Sequence, residues 1–152
     1  MLNIRRATWL DINAVETLVR AHYDSTGFPQ ELEYDRDLVI QSLGGLLMFD
    51  DSCILIVATV DEEVVGTLGM QLASTFFARG IGARELFLYV RPESRGLHLG
   101  VALFGASEVW AKGKGATISI IGNHPLSPPH VAATYIRHGY REAQTDFIKR
   151  LT

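Results

Sequence analysis

An antiparallel hairpin followed directly by a strand–helix–strand unit restricts the folds open to this chain. The hairpin consists of residues 53–60 and 64–72, two apolar and β-branched segments joined by a short acidic turn. Residues 85–90 then form a strand, residues 97–112 an amphipathic helix and residues 117–121 a buried strand. A hairpin joins antiparallel neighbours, whereas a helical crossover joins parallel ones. We therefore predict an α/β fold with a central mixed sheet and helices on both faces.

The segments on either side of this unit complete the expected order. Four further elements are expected: a strand at 2–6 and helices at 11–22, 35–47 and 128–139. Residues 140–151 are expected to supply the last strand or pair of strands. No repeat, low-complexity stretch or linker interrupts the 152 residues, a length typical of one domain. We therefore expect a single domain spanning residues 1–152.

Charged residues are divided unevenly along the chain. Its formal net charge is −3, with 12 acids and five bases in residues 1–83 and five acids and nine bases in residues 84–152. A general nucleic-acid binder would usually be basic, so we expect no nucleic-acid partner. The division would suit an anionic cofactor held by the second half and a cationic acceptor drawn to the first. Alternatively, the acids within residues 31–37 only solvate a helix entrance.

Simple counts argue against several other classes of site. The single cysteine, Cys53, forms no internal disulfide, and the few histidines lack carboxylate or cysteine partners at ligand spacing, so no metal site is expected. No apolar run approaches the ~20 residues of a membrane-spanning helix. The first residues also lack the apolar stretch of a signal peptide. We therefore expect a cytoplasmic protein without membrane contact.

The turn after the strand at residues 85–90 carries the strongest chemical signal. Arg95 and Gly96 lie just before the next helix. A helix N-terminus presents unpaired backbone N–H groups and a partial positive charge, so it attracts phosphate groups. Glycine lets an anion approach the backbone, and arginine adds a planar set of donors. By itself the pattern indicates either a phosphate site or an ordinary strand-to-helix turn.

Two motifs together resemble a known family. The sequence RGLHLG at residues 95–100 resembles the acetyl-coenzyme A signature of the GNAT superfamily of N-acetyltransferases: Gln or Arg, two residues, Gly, one residue, then Gly or Ala. Downstream, Tyr135, Gly139 and Tyr140 resemble the family's Tyr-x-x-x-Gly-aromatic element. The order of elements fits the family over nearly the whole chain. One departure is His98, which stands where the family usually has its middle glycine.

The resemblance implies a cleft for acetyl-CoA between two parallel strands that splay apart, here residues 85–90 and 117–121. Backbone groups around Leu88, Tyr89 and Val90 would hold the thioester. The pyrophosphate would be cradled by the residues that follow: Arg95, Gly96, Leu97, His98, Leu99, Gly100 and Val101. An amine would then attack the acetyl carbonyl directly in a ternary complex, without a covalent enzyme intermediate.

Two side chains are the catalytic candidates that the resemblance implies. Because a lysine-like amine has a pKa of ~10.4, its deprotonation at pH 7 costs about 4.6 kcal/mol, and a base such as Glu85 would help. Alternation places Glu85 on the same face as Phe87 and Tyr89, although it could instead be a strand-edge residue paired with Arg84. Tyr135 matches the family tyrosine that protonates the leaving thiolate; core packing is the alternative for an aromatic there.

The acceptor site is expected between the first helices and the loop after the strand at residues 117–121. Its candidates are His22, Tyr23, Asn123 and His124. They do not name the acceptor, which could be a small molecule, such as a polyamine or an aminoglycoside-like compound, or a protein amine. The apolar C-terminal segment at residues 146–151 also leads us to expect a homodimer.

Two other functions stay open at this point. A catalytically inactive module of the same fold could bind coenzyme A or a protein partner, and His98 is the feature that favours it. An unrelated α/β domain could use Arg95 and Gly96 to bind a different phosphate ligand. Binding of acetyl-CoA, and turnover with an amine, would distinguish the three.

Overall fold

The computed structural model describes residues 1–152 and contains five strands and four α-helices. The strands are β1 (Leu2–Arg6), β2 (Cys53–Val60), β3 (Glu63–Ser74), β4 (Ile81–Val90) and β5 (Ala116–Ile120). The helices are α1 (Ile12–Ser25), α2 (Arg36–Met48), α3 (Leu99–Gly113) and α4 (Pro129–Arg137). Short 3₁₀ turns at Trp9–Asp11, Phe28–Gln30 and Pro92–Leu97 connect some of them. All the predicted helices therefore form.

The five strands make one mixed sheet in the order β1-β2-β3-β4-β5. The first three pairings are antiparallel, and β4 pairs with β5 in parallel. The crossover through α3 explains the parallel pair, because a helix returns the chain to the same end of the sheet. The mixed sheet predicted from the hairpin and the strand–helix–strand unit is confirmed.

The parallel pair is joined over only part of its length. Pairing between β4 and β5 runs from Ile81 with Ala116 to Arg84 with Ile120, whereas β4 continues to Val90. The second half of β4 therefore has no neighbour on its β5 side. The predicted splay between two parallel strands is present, and it opens a gap in the sheet at residues 85–90.

A β-bulge lies where the splay begins. Gly69 of β3 pairs with Phe87, but the next residue, Met70, pairs with Glu85, so Leu86 is an extra residue in β4. Met70 belongs to the core beneath α3, and Phe87 packs against the core beneath α1 and α2. Because cross-strand partners share a face, Glu85 and Phe87 lie on opposite faces. The expectation that simple alternation places Glu85 with Phe87 and Tyr89 was wrong, since the bulge reverses the faces.

Helices cover both faces of the sheet. Val15 and Leu18 of α1 and Leu43 of α2 are buried against one face, and Leu99 and Leu103 of α3 are buried against the other. Burial of each such side chain stabilises the fold by about 1.5–3 kcal/mol. The two cores therefore fix α1 on one side of the gap and α3 on the other.

The C-terminal segment differs from the expectation. Residues 140–152 form no strand, so the predicted last strand or pair of strands was wrong. Tyr140 attaches the start of this segment, because its hydroxyl donates to Glu108 Oε1 at 2.6 Å and lies 3.1 Å from Ser119 Oγ. Beyond Tyr140, Phe147 is 95% exposed, and no neighbouring strand pairs with the backbone of this segment. The edge strand that suggested a homodimer is absent, and the homodimer itself stays a prediction.

Candidate active site

A cavity of about 750 Å³ occupies the gap between β4 and β5. Its walls come from the end of α1, the second half of β4, the turn into α3, the loop after β5, and α4. The splay determines where it lies, because the unpaired half of β4 leaves room for a ligand inside the sheet. We call the part at the turn into α3, which Arg95 lines, the charged end, and the part at α1, which His22 and His124 line, the aromatic end; Tyr89 contacts both.

The charged end is built by the turn into α3. The first N–H groups of α3, from Leu99 onward, have no helical carbonyl partner, so they carry a partial positive charge. Arg95 lies beside them: its Nε donates to the Val90 carbonyl at 3.0 Å, and its guanidinium lies 5.6 Å from the centre of the Tyr89 ring. Arg137 of α4 lines the same cavity. This end can bind a phosphate-bearing ligand.

His98 occupies the position where α3 begins. Its φ of 56° lies in the left-handed region, which glycine adopts most easily. A histidine there is tolerated at a cost of roughly 1 kcal/mol. The left-handed backbone that a glycine would supply is therefore preserved, and the imidazole is added to the cavity wall.

Most residues of the predicted cofactor loop line the cavity: Leu88, Tyr89, Val90, Arg95, Gly96, His98, Gly100 and Val101. Two predicted residues do not line it with their side chains. Leu99 is fully buried in the core beneath α3, and Leu97 is half exposed outside the cavity. Helical geometry explains the difference, since successive residues of the first turn point in different directions.

Glu85 lies at the bulge, between the two ends of the cavity. Its Oε2 accepts the N–H of Gly122 at 2.8 Å. Burial raises the pKa of the Glu85 carboxyl to about 7, although the Gly122 N–H opposes the shift by stabilising the carboxylate. No ion pair joins Glu85 to Arg84 or to another cation. A partly buried carboxyl with a pKa near neutrality can accept a proton at physiological pH.

Tyr135 of α4 lies close to Glu85. Its ring packs edge-on to Phe104 at 5.8 Å and tilted to Tyr140 at 6.1 Å. Burial raises the pKa of the Tyr135 hydroxyl, and the nearby Glu85 and Tyr140 raise it further. The hydroxyl is therefore protonated throughout the neutral range and is able to donate a proton or a hydrogen bond.

His22 and His124 meet at the aromatic end, with ring centres 5.2 Å apart. Burial, together with His124, lowers the pKa of His22 to about 4, and burial lowers the pKa of His124. The other two acceptor candidates do not line this cavity. Tyr23 turns towards Leu32, whose carbonyl accepts its hydroxyl, and Asn123 is exposed.

Several residues that line the cavity were not predicted as site residues. From α4 and its C-terminal end these are His130, Val131, Thr134, Arg137 and His138; from elsewhere, Ser25, Phe104, Gly122, Leu126, Ser127 and Pro128. A usable signal existed for Arg137, which lies inside the Tyr-x-x-x-Gly-aromatic element. All five histidines of the chain line the cavity, although no group of three or more His, Cys, Asp or Glu side chains is placed to hold a metal ion.

A comparison with protein families identifies the family to which a chain with this cavity and this turn belongs. Residues 13–140 match the model of the acetyltransferase (GNAT) family. The chain belongs to the GNAT acetyltransferase family. The match includes β4, the RGLHLG turn and the whole of α4, so it covers the elements that build the cavity.

Solved structures share this GNAT fold at low sequence identity. The chain is similar to AAC(6')-Iy in complex with the bisubstrate analog CoA-S-monomethyl-acetylneamine (TM-score 0.82, 14% identity, 100% of this chain and 99% of that chain covered). It is also similar to a transcriptional regulator from Bacillus halodurans (TM-score 0.80, 18% identity, 99% of this chain and 100% of that chain covered). A third similar structure is glucosamine-6-phosphate N-acetyltransferase from Arabidopsis thaliana, with a TM-score of 0.77 and 13% identity over 100% of this chain and 99% of that chain. At these identities the likeness establishes the fold alone.

Two further comparisons are negative. No curated protein sequence gives a significant match to the chain. None of the four helices combines the length and the apolar character needed to cross a lipid bilayer. The family assignment therefore depends on the family model and the fold.

Proposed function

We propose that this GNAT protein transfers the acetyl group of acetyl-CoA to a primary amine, acting in the cytoplasm, by direct attack within a ternary complex. One observation carries the proposal: a single cavity joins the positive turn at Arg95 to Glu85 and Tyr135. The first feature suits the phosphates of the co-substrate, and the other two supply a base and an acid at its reactive end.

The shape and chemistry of the cavity fit acetyl-CoA. Its unpaired β4 edge at residues 85–90 offers backbone groups to the amides of a long, thin ligand, because β5 has diverged there. The N–H groups at the start of α3, together with Arg95, fit a pyrophosphate. Tyr89 and Val90 would then lie beside the thioester. The predicted cofactor role of these residues is retained as part of this proposal.

Glu85 would act as the general base. An amine in its ammonium form has no lone pair to attack with, and at pH 7 removing its proton costs about 4.6 kcal/mol. A carboxyl with a pKa of about 7 is ionised in a large fraction at neutral pH and still basic enough to accept that proton. The nitrogen then forms a bond to the acetyl carbon as the bond from that carbon to sulfur breaks.

Tyr135 would supply a proton to the departing sulfur. Its hydroxyl remains protonated because burial and the nearby Glu85 raise its pKa. A thiolate is a fair leaving group, with a thiol pKa of ~8.5, so this contribution is smaller than that of the base. A primary ammonium loses two protons on becoming an amide. Glu85 would receive the first before the attack, and Tyr135, having given its proton to the sulfur, would recover the second from the nitrogen of the product.

The experiment that tests this function is a free-thiol assay on the purified protein. Acetyl-CoA is supplied with a panel of primary amines, and the acetylated product is verified by mass spectrometry. Thiol release that depends on the amine supports the proposal. Binding of acetyl-CoA without acetylation of any amine would instead indicate an inactive coenzyme A-binding module, the alternative that His98 favours.

A further inference from the structure

Three aromatic rings that line the cavity, those of His22, Tyr89 and His124, lie near the end of α1, and Phe28 packs against His124 from outside the lining. His22 lies 6.0 Å from Tyr89 and 5.2 Å from His124, and His124 lies 5.5 Å from Phe28, all measured between ring centres. These rings come from α1, the following 3₁₀ turn, β4 and the loop after β5. Separate segments therefore converge on one ring cluster, and Glu85 lines the same cavity.

The two imidazoles of the ring cluster have unused polar groups, and the Arg95 guanidinium lies over its third ring, Tyr89, at 5.6 Å. Burial and the neighbouring imidazole keep His22 neutral at physiological pH, since its pKa falls to about 4. The His22 and His124 carbonyls accept hydrogen bonds from Ser25 and Ser127, but neither imidazole has a protein partner, so the ring nitrogens are available to a ligand. Flat, neutral surfaces of this kind pack against other flat groups with ring centres about 4.5–7 Å apart.

The acidic residues of the first half of the chain do not line the main cavity. Glu85 is the only carboxylate that lines the main cavity, whereas Glu33, Asp35 and Asp37 line a separate one before α2. Asp35 is also occupied as the cap of α2, where its Oδ1 accepts the Leu38 N–H at 3.0 Å. The acidic excess of residues 1–83 therefore supplies no second negative charge at the ring cluster.

We propose that the acceptor is a primary monoamine with a flat, apolar body, of the arylalkylamine class, whose ring packs among His22, Tyr89 and His124 in the cavity. The inference rests on the proposed function and names its substrate class. The single amine of such a molecule reaches Glu85. A polyamine or an aminoglycoside brings several ammonium groups out of water, and each needs a compensating charge. Only Glu85 is present, and it serves the reacting amine.

The turnover test compares 2-phenylethylamine with spermidine as acceptors of acetyl-CoA. We expect kcat/KM to favour 2-phenylethylamine by about tenfold or more, because the ring cluster contributes binding only to the aromatic substrate. Substitution His22→Ala should raise KM for 2-phenylethylamine, and His22→Phe should restore it by replacing the ring. Phe28→Ala, at a partly exposed site, removes the ring that packs against His124 and gives a second test that carries little risk to folding. Preference for spermidine would overturn the inference.

The matched control removes charge from the second cavity. Glu33→Gln with Asp37→Asn deletes two acids from that cavity and leaves the ring cluster intact. We expect unchanged kinetics with 2-phenylethylamine. A fall in spermidine turnover in this double variant, together with a preference for spermidine, would show that the acidic segment recruits a polycation and would contradict the inference.

An equilibrium measurement keeps the inference separate from the proposed function. Binding of 2-phenylethylamine is titrated calorimetrically with and without unacetylated CoA, so no turnover is required. Binding that His22→Ala weakens and His22→Phe retains supports the aromatic site even if no acetylation occurs. If 2-phenylethylamine binds neither the free protein nor the protein with CoA, while another amine is acetylated, the substrate class is overturned and the acetyltransferase function stands.

Discussion

At the scale of single residues, the proposed chemistry depends on a carboxyl group whose pKa lies near neutrality. Glu85 is held at the bulge of β4, hydrogen bonded to the Gly122 N–H and largely removed from water. Its raised pKa of about 7 makes activity and stability respond to pH in opposite directions. Activity needs the carboxylate, whereas burial favours the neutral acid.

Glu85→Gln tests the base. In the wild-type enzyme the rate should rise with pH through about pH 7, the pKa of Glu85, as the carboxylate forms. In the variant that limb should disappear and kcat should fall by about 100-fold, a typical loss for a general base. The measurement is a pH–rate profile of kcat/KM. An unchanged pH–rate profile would indicate that water or His124, rather than Glu85, is the general base.

The same variant carries a stability control. Because the folded-state pKa is raised, folded Glu85 holds a proton that the unfolded chain has lost between about pH 4.5 and about pH 7. Wild-type stability therefore falls as pH rises through this window, and Glu85→Gln should lack that fall. Thermal unfolding at both ends of the window measures it; an identical slope in both proteins would show that Glu85 is not buried as described.

Tyr135→Phe tests the acid. The ring and its packing against Phe104 and Tyr140 are kept, while the hydroxyl is removed. We expect kcat to fall by about tenfold or more and the affinity for acetyl-CoA to stay nearly unchanged, as for loss of a proton donor. Steady-state kinetics and a titration separate the two. Full activity in the variant would limit Tyr135 to packing.

His98→Gly tests the departure from the family signature. Glycine relieves the left-handed strain at φ 56°, which is worth roughly 1 kcal/mol. Since the backbone keeps its conformation, we expect acetyl-CoA to bind with equal or greater affinity and the fold to lose no stability. A titration and a denaturation curve measure both. Much weaker binding by the variant would show that the imidazole, rather than the backbone, holds the ligand.

At the scale of elements, the bulge and the splay create the site. Gly69 lies opposite Phe87, where a Cβ would come within 2.7 Å of the ring. β3 and β4 stay paired on both sides of the bulge. The missing side chain at Gly69 makes room for the Phe87 ring on the face beneath α1 and α2.

Gly69→Ala should disturb this arrangement. The added methyl group must displace the Phe87 ring, and such overpacking costs about 1–3 kcal/mol of unfolding free energy. Gly105→Ala in α3 is the matched control: no atom lies within 4 Å of its Cβ, and alanine favours a helix, so stability should rise slightly. Urea denaturation of both variants measures the difference. Equal stability of the two would contradict the close packing at Gly69.

The elements differ in how well the sequence predicts them. The helices and strands of the core follow from their apolar periodicity, and the parallel pair follows from the crossover through α3. The bulge could not be predicted, because residues 85–90 (ELFLYV) are almost uniformly apolar after Glu85 and give no sign of an extra residue. The C-terminal strand was wrong because apolar residues such as Phe147 do not form a strand without a pairing partner.

The residues of the candidate site also differ in how well the sequence predicts them. Glu85, Tyr135 and the turn at Arg95 were found because a motif or a chemical requirement singled them out. Arg137 was missed because it lies at a variable position within a motif. Tyr23 was included because it lies with His22 at the end of the first helix, where the resemblance implies an acceptor site, yet one residue along a helix turns the side chain by about 100°. Spacing along the chain thus located the cavity better than it selected the residues lining it.

At the scale of the whole molecule, the division of charge takes on a definite meaning. The positive second half contributes Arg95 and Arg137 to the cavity, as expected for an anionic ligand. The negative first half contributes no carboxylate to it, so the expectation of a cationic acceptor drawn by those acids gains no support from the site. Our proposals therefore assign the arginines to the co-substrate and the ring cluster, rather than the acidic residues of the first half, to the acceptor.

The measurement that tests the account most directly is a calorimetric titration of acetyl-CoA into the wild-type protein and into Arg95→Glu. We expect the wild type to bind, and the variant to bind at least about tenfold more weakly because it places an anion at the phosphate end. Arg141→Glu, with the same charge change in the exposed C-terminal segment, should bind as the wild type does. Equal affinity of wild type and Arg95→Glu, or no binding to either, would contradict the assignment of the cavity to acetyl-CoA.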